Sequence, residues 1–127
     1  MRNLLFVLCL IPTTFSTCQK VIGDPYGESF YYLKNNRTNT IQAKSIAITQ
    51  LDSIKSTWLI INSADIGYFG MASGMGSPNP NQILSKILIA NNGDTTNLID
   101  TIAILSDSLW IRTFINNIKT KWVYIYE

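Results

Sequence analysis

Short stretches in which apolar and polar residues alternate dominate the chain after residue 28. Successive side chains of a β-strand point to opposite faces, so this pattern predicts strands that each bury one face. The clearest case is 120–126, where Trp122, Tyr124 and Tyr126 share a face. Strands are predicted at 29–33, 41–50, 57–62, 66–72, 99–105, 109–114 and 120–126.

The segment 57–62 contains the most continuous apolar run among these strands, from Trp58 to Ile61. A short apolar run bounded by turn residues is typical of a buried strand. The four polar or small residues at 62–65 are short enough to form a hairpin connection. We therefore expect 57–62 to be a buried strand and 66–72 to be its hairpin partner.

Two segments carry both helical and strand periodicity. Over 79–92, Asn79 as a cap, Pro80 at the first helical position and Gly93 after the end favour a helix. Alternating isoleucines in the same segment leave a strand as the alternative. The segment 109–118 is equally ambiguous, and we favour a strand over 109–114.

These elements predict an α+β fold: a small, β-dominated antiparallel domain, a sandwich or a partial barrel, with one or two helices. The chain divides by composition into 1–17, which is mostly apolar, 18–28, which is polar and rich in turn residues, and 29–127. We predict that 29–127 is a single globular domain and that 18–28 is a tether.

The first 17 residues have the layout of a secretory signal peptide. Arg2 precedes an apolar run over 4–11, and Pro12 ends that run. At about eight residues the run is too short for a transmembrane helix, which needs roughly 20. We therefore expect 1–17 to be removed during export.

The residues that end this segment, Phe15-Ser16-Thr17-Cys18, resemble the lipobox of bacterial lipoproteins, although Phe15 and Thr17 differ from its usual residues. The resemblance implies a diacylglycerol on Cys18 and cleavage just before it, so that the N-terminal lipid would hold the protein at a membrane. The alternative is ordinary cleavage after Ser16, which would release a soluble secreted protein. The other cysteine, Cys9, lies in the apolar run, so the mature chain would form no internal disulfide.

Charge and composition argue against several function classes. The net charge of +2 falls to about +1 when Arg2 is removed, and no cluster of Lys and Arg suggests a nucleic-acid partner. The chain has no histidine, which is the usual general base and the commonest zinc ligand. We predict a non-enzymatic protein that uses no cofactor and no metal.

Aromatic and methionine residues supply the candidate binding surface. Tyr68, Phe69, Met71 and Met75 lie among glycines, where an ordered, outward-facing loop would present adaptable apolar surface to a partner. Core packing is the alternative for these residues. The stripe of aromatic residues in 120–126 offers the same choice between a sugar-stacking platform and a core face.

A short repeated pattern suggests modification. Asp followed by Ser or Thr and then an apolar residue or Thr occurs four times, and it resembles the O-glycosylation signal of exported proteins in one Gram-negative phylum. The resemblance implies glycans on the hydroxyl residue of each copy where it is exposed. These residues are Ser53, Thr95, Thr101 and Ser108.

The hypothesis that combines these observations is a small cell-envelope lipoprotein at the periplasmic face of the outer membrane. It would act by binding an envelope protein, as an accessory subunit, an assembly factor or an immunity-type inhibitor. A small carbohydrate- or lipid-binding module is the first alternative. A cryptic hydrolase built on two carboxylates is the second.

Overall fold

A computed structural model describes residues 26–127, which form eight strands and one short helix. The predicted dominance of β-structure is confirmed. The elements are β1 (Tyr26–Asn35), β2 (Ile41–Ala47), β3 (Leu59–Ile61), β4 (Ile66–Met75), α1 (Pro80–Ile83), β5 (Leu84–Asn91), β6 (Asp94–Ala103), β7 (Trp110–Phe114) and β8 (Lys119–Tyr126).

The strands form two separate four-stranded sheets rather than a barrel. Sheet A has the order β4-β1-β8-β7, and sheet B has the order β3-β2-β5-β6. Every neighbouring pair is antiparallel except β1 and β8, which run parallel. Buried residues of both sheets belong to one hydrophobic cluster, so the two sheets share a common core.

Aromatic side chains of sheet A fill much of this core. The rings of Tyr31 and Trp110 meet edge to face, with their centroids 6.4 Å apart. Trp122 and Tyr126 are buried, and Tyr124 is half-buried beside them. The aromatic stripe of the last strand is therefore a core face and is not an open platform for sugars.

A buried asparagine joins the end of β1 to the other sheet. The Asn35 side-chain amide donates hydrogen bonds to the backbone oxygens of Asn39 (2.8 Å) and Ile61 (3.0 Å). Its carbonyl oxygen accepts the backbone N–H of Arg37 at 3.0 Å. An amide that is buried without hydrogen-bond partners destabilises a fold. This network therefore holds the backbone in place where the chain passes from sheet A to sheet B.

The helix predicted over 79–92 is wrong for most of its length. The helix α1 has four residues, and the Gln82 side chain accepts the backbone N–H of Asn79 at its start. The chain then continues as β5 between β2 and β6, where Leu84, Ile87 and Ile89 are buried. Burial of these side chains in a sheet outweighs the local helix signals, so the strand alternative is confirmed, as is the strand over 109–114.

The hairpin predicted between 57–62 and 66–72 is also wrong. The strand β3 is only three residues long and lies at the edge of sheet B, with Ile60 63% exposed. The strand β4 belongs to sheet A, where it pairs with β1. The connection over 62–65 therefore carries the chain from one sheet to the other.

The N-terminal predictions fall largely outside the described residues. The predicted signal peptide, the cleavage site and Cys18 all lie there. The strand β1 begins at Tyr26, so residues 26–28 belong to a strand rather than to the predicted tether. Within 26–127, no helix has the length and apolar character needed to span a bilayer.

One segment of irregular backbone closes the outer edge of β4. Ser53 accepts the backbone N–H of Met71 at 3.1 Å, and Lys55 donates its N–H to Phe69 at 2.7 Å. Between these bonds Gly70 has a φ of +132°, and a Cβ there would overlap the Ser53 carbonyl oxygen. The close approach of 52–55 to β4 therefore requires glycine at this position.

Candidate binding face

The solvent-facing side of sheet A is unusually rich in aromatic and sulfur-containing side chains. Alternate residues of β1 and β4 point away from the core, and Phe30, Tyr32, Tyr68 and Met71 lie at the centre of that side, each half-buried. Register places Tyr32 opposite Tyr68 and Phe30 opposite Met71. The four side chains thus form one continuous patch across two strands.

Lysines flank the two tyrosines of this patch. The Tyr32 and Tyr68 ring centroids are 5.1 Å apart. The Lys55 ammonium lies 5.3 Å from the Tyr68 centroid, and the Lys121 ammonium lies 5.1 Å from the Tyr32 centroid. We call Lys55, Tyr68, Tyr32 and Lys121 the aromatic row. Each ammonium lies within cation–π distance of a ring, which places positive charge beside both tyrosines.

The local sequence explains why the row faces outward. Tyr31 and Tyr32 are adjacent in β1 and therefore point to opposite sides of the sheet. Tyr31 enters the core, where its hydroxyl donates a hydrogen bond to the Pro78 carbonyl oxygen at 2.8 Å. Tyr32 is left on the outer side, beside Tyr68.

The charge on this side of sheet A is mostly positive. The outward-facing positions of β1 and β8, which alternate with buried residues, include Lys34, Lys119 and Lys121. The acidic residue at these positions is Glu28. Burial and the nearby Tyr32 phenol raise the pKa of Tyr68, so its hydroxyl remains a neutral hydrogen-bond donor at physiological pH. The face is suited to a partner that presents carboxylates and apolar side chains.

The four residues predicted as a partner loop lie in strand β4 rather than in a loop. Tyr68 and Met71 are half-buried on the outer side, Phe69 is buried in the core, and Met75 is 71% exposed at the end of the strand. Two of the four, Tyr68 and Met71, therefore belong to the outer patch. The sequence analysis did not single out Lys55 or Lys121, because their position beside the tyrosines depends on strand pairing that the local sequence does not encode.

The predicted glycosylation residues lie in separate parts of the fold. Ser53 is exposed in the turn beside β4, and Ser108 is exposed in the link between β6 and β7. Thr101 is exposed within β6, and Thr95 is half-buried near the start of that strand. Three of the four hydroxyls are therefore on well-exposed residues.

Two clefts open on the surface formed by residues 26–127. The larger, about 370 Å³, lies between the end of β2 and residues 50–56, and Asp52 is the one carboxylate among its lining residues. The smaller, about 230 Å³, lies between the β6–β7 link and Tyr124, and its lining residues include no carboxylate. Neither cleft presents the pair of carboxylates that a glycosidase uses. Among residues 26–127, no group of three or more His, Cys, Asp or Glu is placed to hold a metal ion.

Comparison of the chain with protein-family models, with curated proteins and with solved structures finds no match. The surface chemistry of the chain itself is therefore the basis on which its function is inferred.

Proposed function

We propose that this protein is a lipid-anchored component of the bacterial envelope that acts by binding another envelope protein through the aromatic row. The observation that carries the proposal is the row itself: two tyrosines in contact, each with a lysine over its ring, on an outer sheet face. Tyrosine and methionine are typical of protein-binding surfaces, and lysine adds a preference for acidic partners.

The position of the row in a sheet favours binding. Tyr32 and Tyr68 are fixed by the ladder between β1 and β4, so little conformational entropy is lost when a partner covers them. Aromatic side chains at the centre of an interface commonly contribute most of the binding free energy. We therefore expect the tyrosines to determine affinity and the lysines to determine which partner is accepted.

The anchor is tested separately from the binding. The intact mass of the protein from its native host should correspond to a chain that begins at Cys18 and carries acyl groups. After digestion, added mass on the peptides that contain Ser53, Thr101 or Ser108 should reveal any glycans. A chain that begins at Thr17 without added mass would show that the protein is secreted and soluble.

The binding proposal is tested by site-specific photo-crosslinking in the native host. A photoreactive phenylalanine analogue replaces Tyr68 in one variant and Ile60, which is exposed on the edge of sheet B, in the control. We expect a discrete crosslinked protein at Tyr68 and none at Ile60. With that partner purified, Tyr68→Ala should weaken binding by about 30-fold, the effect of losing an aromatic side chain worth about 2 kcal/mol.

Equal crosslinking at both positions, or none at either, would contradict the proposal. So would a partner whose affinity is unchanged by Tyr68→Ala. The charge-reversed variant Lys121→Glu separates the contribution of the lysines from that of the tyrosines. It should weaken binding to an acidic partner more at low salt than at high salt, because salt screens the interaction between charges.

A further inference from the structure

One end of sheet A carries a row of exposed apolar side chains that the binding face does not use. At this end β1 and β8 begin, and β4 and β7 finish. Neighbouring residues on β1, β4 and β7 and in the β7–β8 turn form what we call the tip; they are between 44% and 71% exposed. The tip consists of Tyr26, Met75, Phe114, Ile115 and Ile118.

Backbone pairing shows that these residues are neighbours. Tyr26 pairs with Met75 across the β1–β4 ladder. Ile118 accepts the backbone N–H of Glu28 at 2.6 Å, which joins the β7–β8 turn to the start of β1. Because strands lie about 4.8 Å apart, the row extends across roughly 15 Å of the sheet end.

Cationic side chains lie directly behind the tip. The Arg112 guanidinium lies over the Phe114 ring, 4.4 Å from its centroid. Lys119 starts β8 beside the turn, and Lys121 follows two residues later on the same side of the strand. Among the described residues of this region, Glu28 is the acidic one. An apolar, aromatic front with basic residues behind it matches the composition of proteins that contact the interface of an anionic bilayer.

The position at which the chain enters the fold favours a lipid bilayer as the surface that the tip contacts. Tyr26 is the first described residue, and it lies eight positions after Cys18 in the sequence. Eight residues span at most about 29 Å when fully extended. A lipid on Cys18 would therefore hold this end of sheet A close to the headgroups. We infer that the tip rests on the membrane interface and orients the domain there; this inference depends on the lipid anchor of the proposed function.

A second copy of the chain fits the tip less well. A large aromatic side chain offers about 150–250 Å² when fully exposed, so these five partly exposed residues offer roughly 600 Å². A stable protein interface needs about 800 Å² from each partner. Contact with lipid has no such threshold, because the anchor already keeps the tip at the surface.

The orientation has a consequence for the aromatic row. Tyr32 is six residues beyond Tyr26 on the same strand, a separation of about 20 Å at the rise of a β-strand. With the tip on the membrane, β1 points away from it, and the row stands about 20 Å above the headgroups. A partner protein would then approach from the side, parallel to the membrane.

The test places an environment-sensitive fluorophore at the tip of the acylated protein. Phe114→Cys and Ile60→Cys are labelled with nitrobenzoxadiazole, and both original side chains are similarly exposed, 66% and 63%. In the acylated chain Cys18 would be blocked, so the introduced cysteine is the single reactive thiol. Intact mass confirms acylation, and flotation with vesicles of phosphatidylethanolamine and phosphatidylglycerol confirms anchoring before any spectrum is recorded.

We expect the Phe114 label to shift to shorter wavelength on vesicles and to be quenched by brominated lipids, while the Ile60 label is unchanged. Acylated protein that floats with vesicles but shows no quenching at either site would overturn the tip contact and leave the anchor standing. Equal quenching at both sites would overturn it as well. A Phe114 label already shielded before vesicles are added, together with a dimer mass, would show that a second copy covers the tip.

Discussion

Two adjacent tyrosines, Tyr31 and Tyr32, have opposite roles because neighbouring residues in a strand face opposite sides of the sheet. Tyr31 is fully buried and satisfies the Pro78 carbonyl, whereas Tyr32 belongs to the aromatic row. The same kind of side chain is thus part of the core at one position and part of the outer face at the next.

The first prediction concerns Tyr31→Phe, which leaves the Pro78 carbonyl without its donor. We expect the free energy of unfolding at neutral pH to fall by about 1–3 kcal/mol, as measured by urea denaturation. Tyr26→Phe is the matched control, because Tyr26 is 67% exposed and its hydroxyl is available to water. Equal effects of the two substitutions would contradict the role assigned to the buried bond.

Tyr31 also gives stability a defined dependence on alkaline pH. Burial raises the pKa of Tyr31 well above the ordinary tyrosine value of 10.0. The unfolded chain therefore loses this proton near pH 10 while the folded chain keeps it, so stability falls as pH rises above about 10. In Tyr31→Phe this part of the decline should be absent. Stability profiles of equal steepness in both proteins would contradict the expectation.

At the scale of secondary-structure elements, glycine is required where an irregular segment meets a strand. Gly70 combines a φ of +132° with close approach of the Ser53 backbone. Gly93, in the turn between β5 and β6, has a φ of +85° and open space around its missing side chain. Gly93 therefore shows the cost of an unfavourable backbone angle alone. Gly70 combines that cost with steric overlap.

The second prediction compares Gly70→Ala with Gly93→Ala by thermal and urea unfolding. Gly93→Ala should cost about 1–2 kcal/mol, the penalty of a left-handed conformation. Gly70→Ala should cost about 3–5 kcal/mol, because it must also displace residues 52–55 from β4. Costs of similar size would mean that the segment can move away from β4 freely.

The positions of most strands could be predicted from the sequence, because alternation is a local signal and β2 and β8 show it clearly. Their pairing could not, since contacts between distant strands leave no local trace. The segment 79–92 shows the limit: its cap residues specify one turn of helix, and packing between β2 and β6 decides the rest. The aromatic row could be predicted only in part for the same reason, since the sequence singles out Tyr68 but does not show that Tyr32 and the two lysines lie beside it.

Across the whole molecule, burial is uneven: the edge strand β6 is much more exposed than the interior strands β1 and β5. The strand β6 pairs only with β5, its register shifts twice, and most of its side chains are exposed. The strands β1 and β5 lie inside their sheets, with partners on both sides. Regions with few buried contacts open more readily than the core, so stability should vary along the chain.

The third prediction follows from this difference and uses hydrogen exchange measured by mass spectrometry. Peptides from 94–103 should exchange much faster than peptides from 26–35 and 84–91 in the isolated protein. Protection of β6 equal to that of β1 would indicate that another molecule covers β6 in solution. A dilution series would identify such a case, because the protection would then depend on protein concentration.

The parallel pairing of β1 with β8 also constrains when the protein can fold. It joins residues about ninety positions apart, such as Tyr31 and Trp122, and β1 lies inside sheet A with β8 as one of its two neighbours. Sheet A therefore cannot close until the residues of β8 are present in the same compartment. A chain that emerges N-terminus first, from the ribosome or across a membrane, can therefore complete sheet A only after residues 119–126 arrive, so β1 waits for its second neighbour while β4 and all four strands of sheet B are already present.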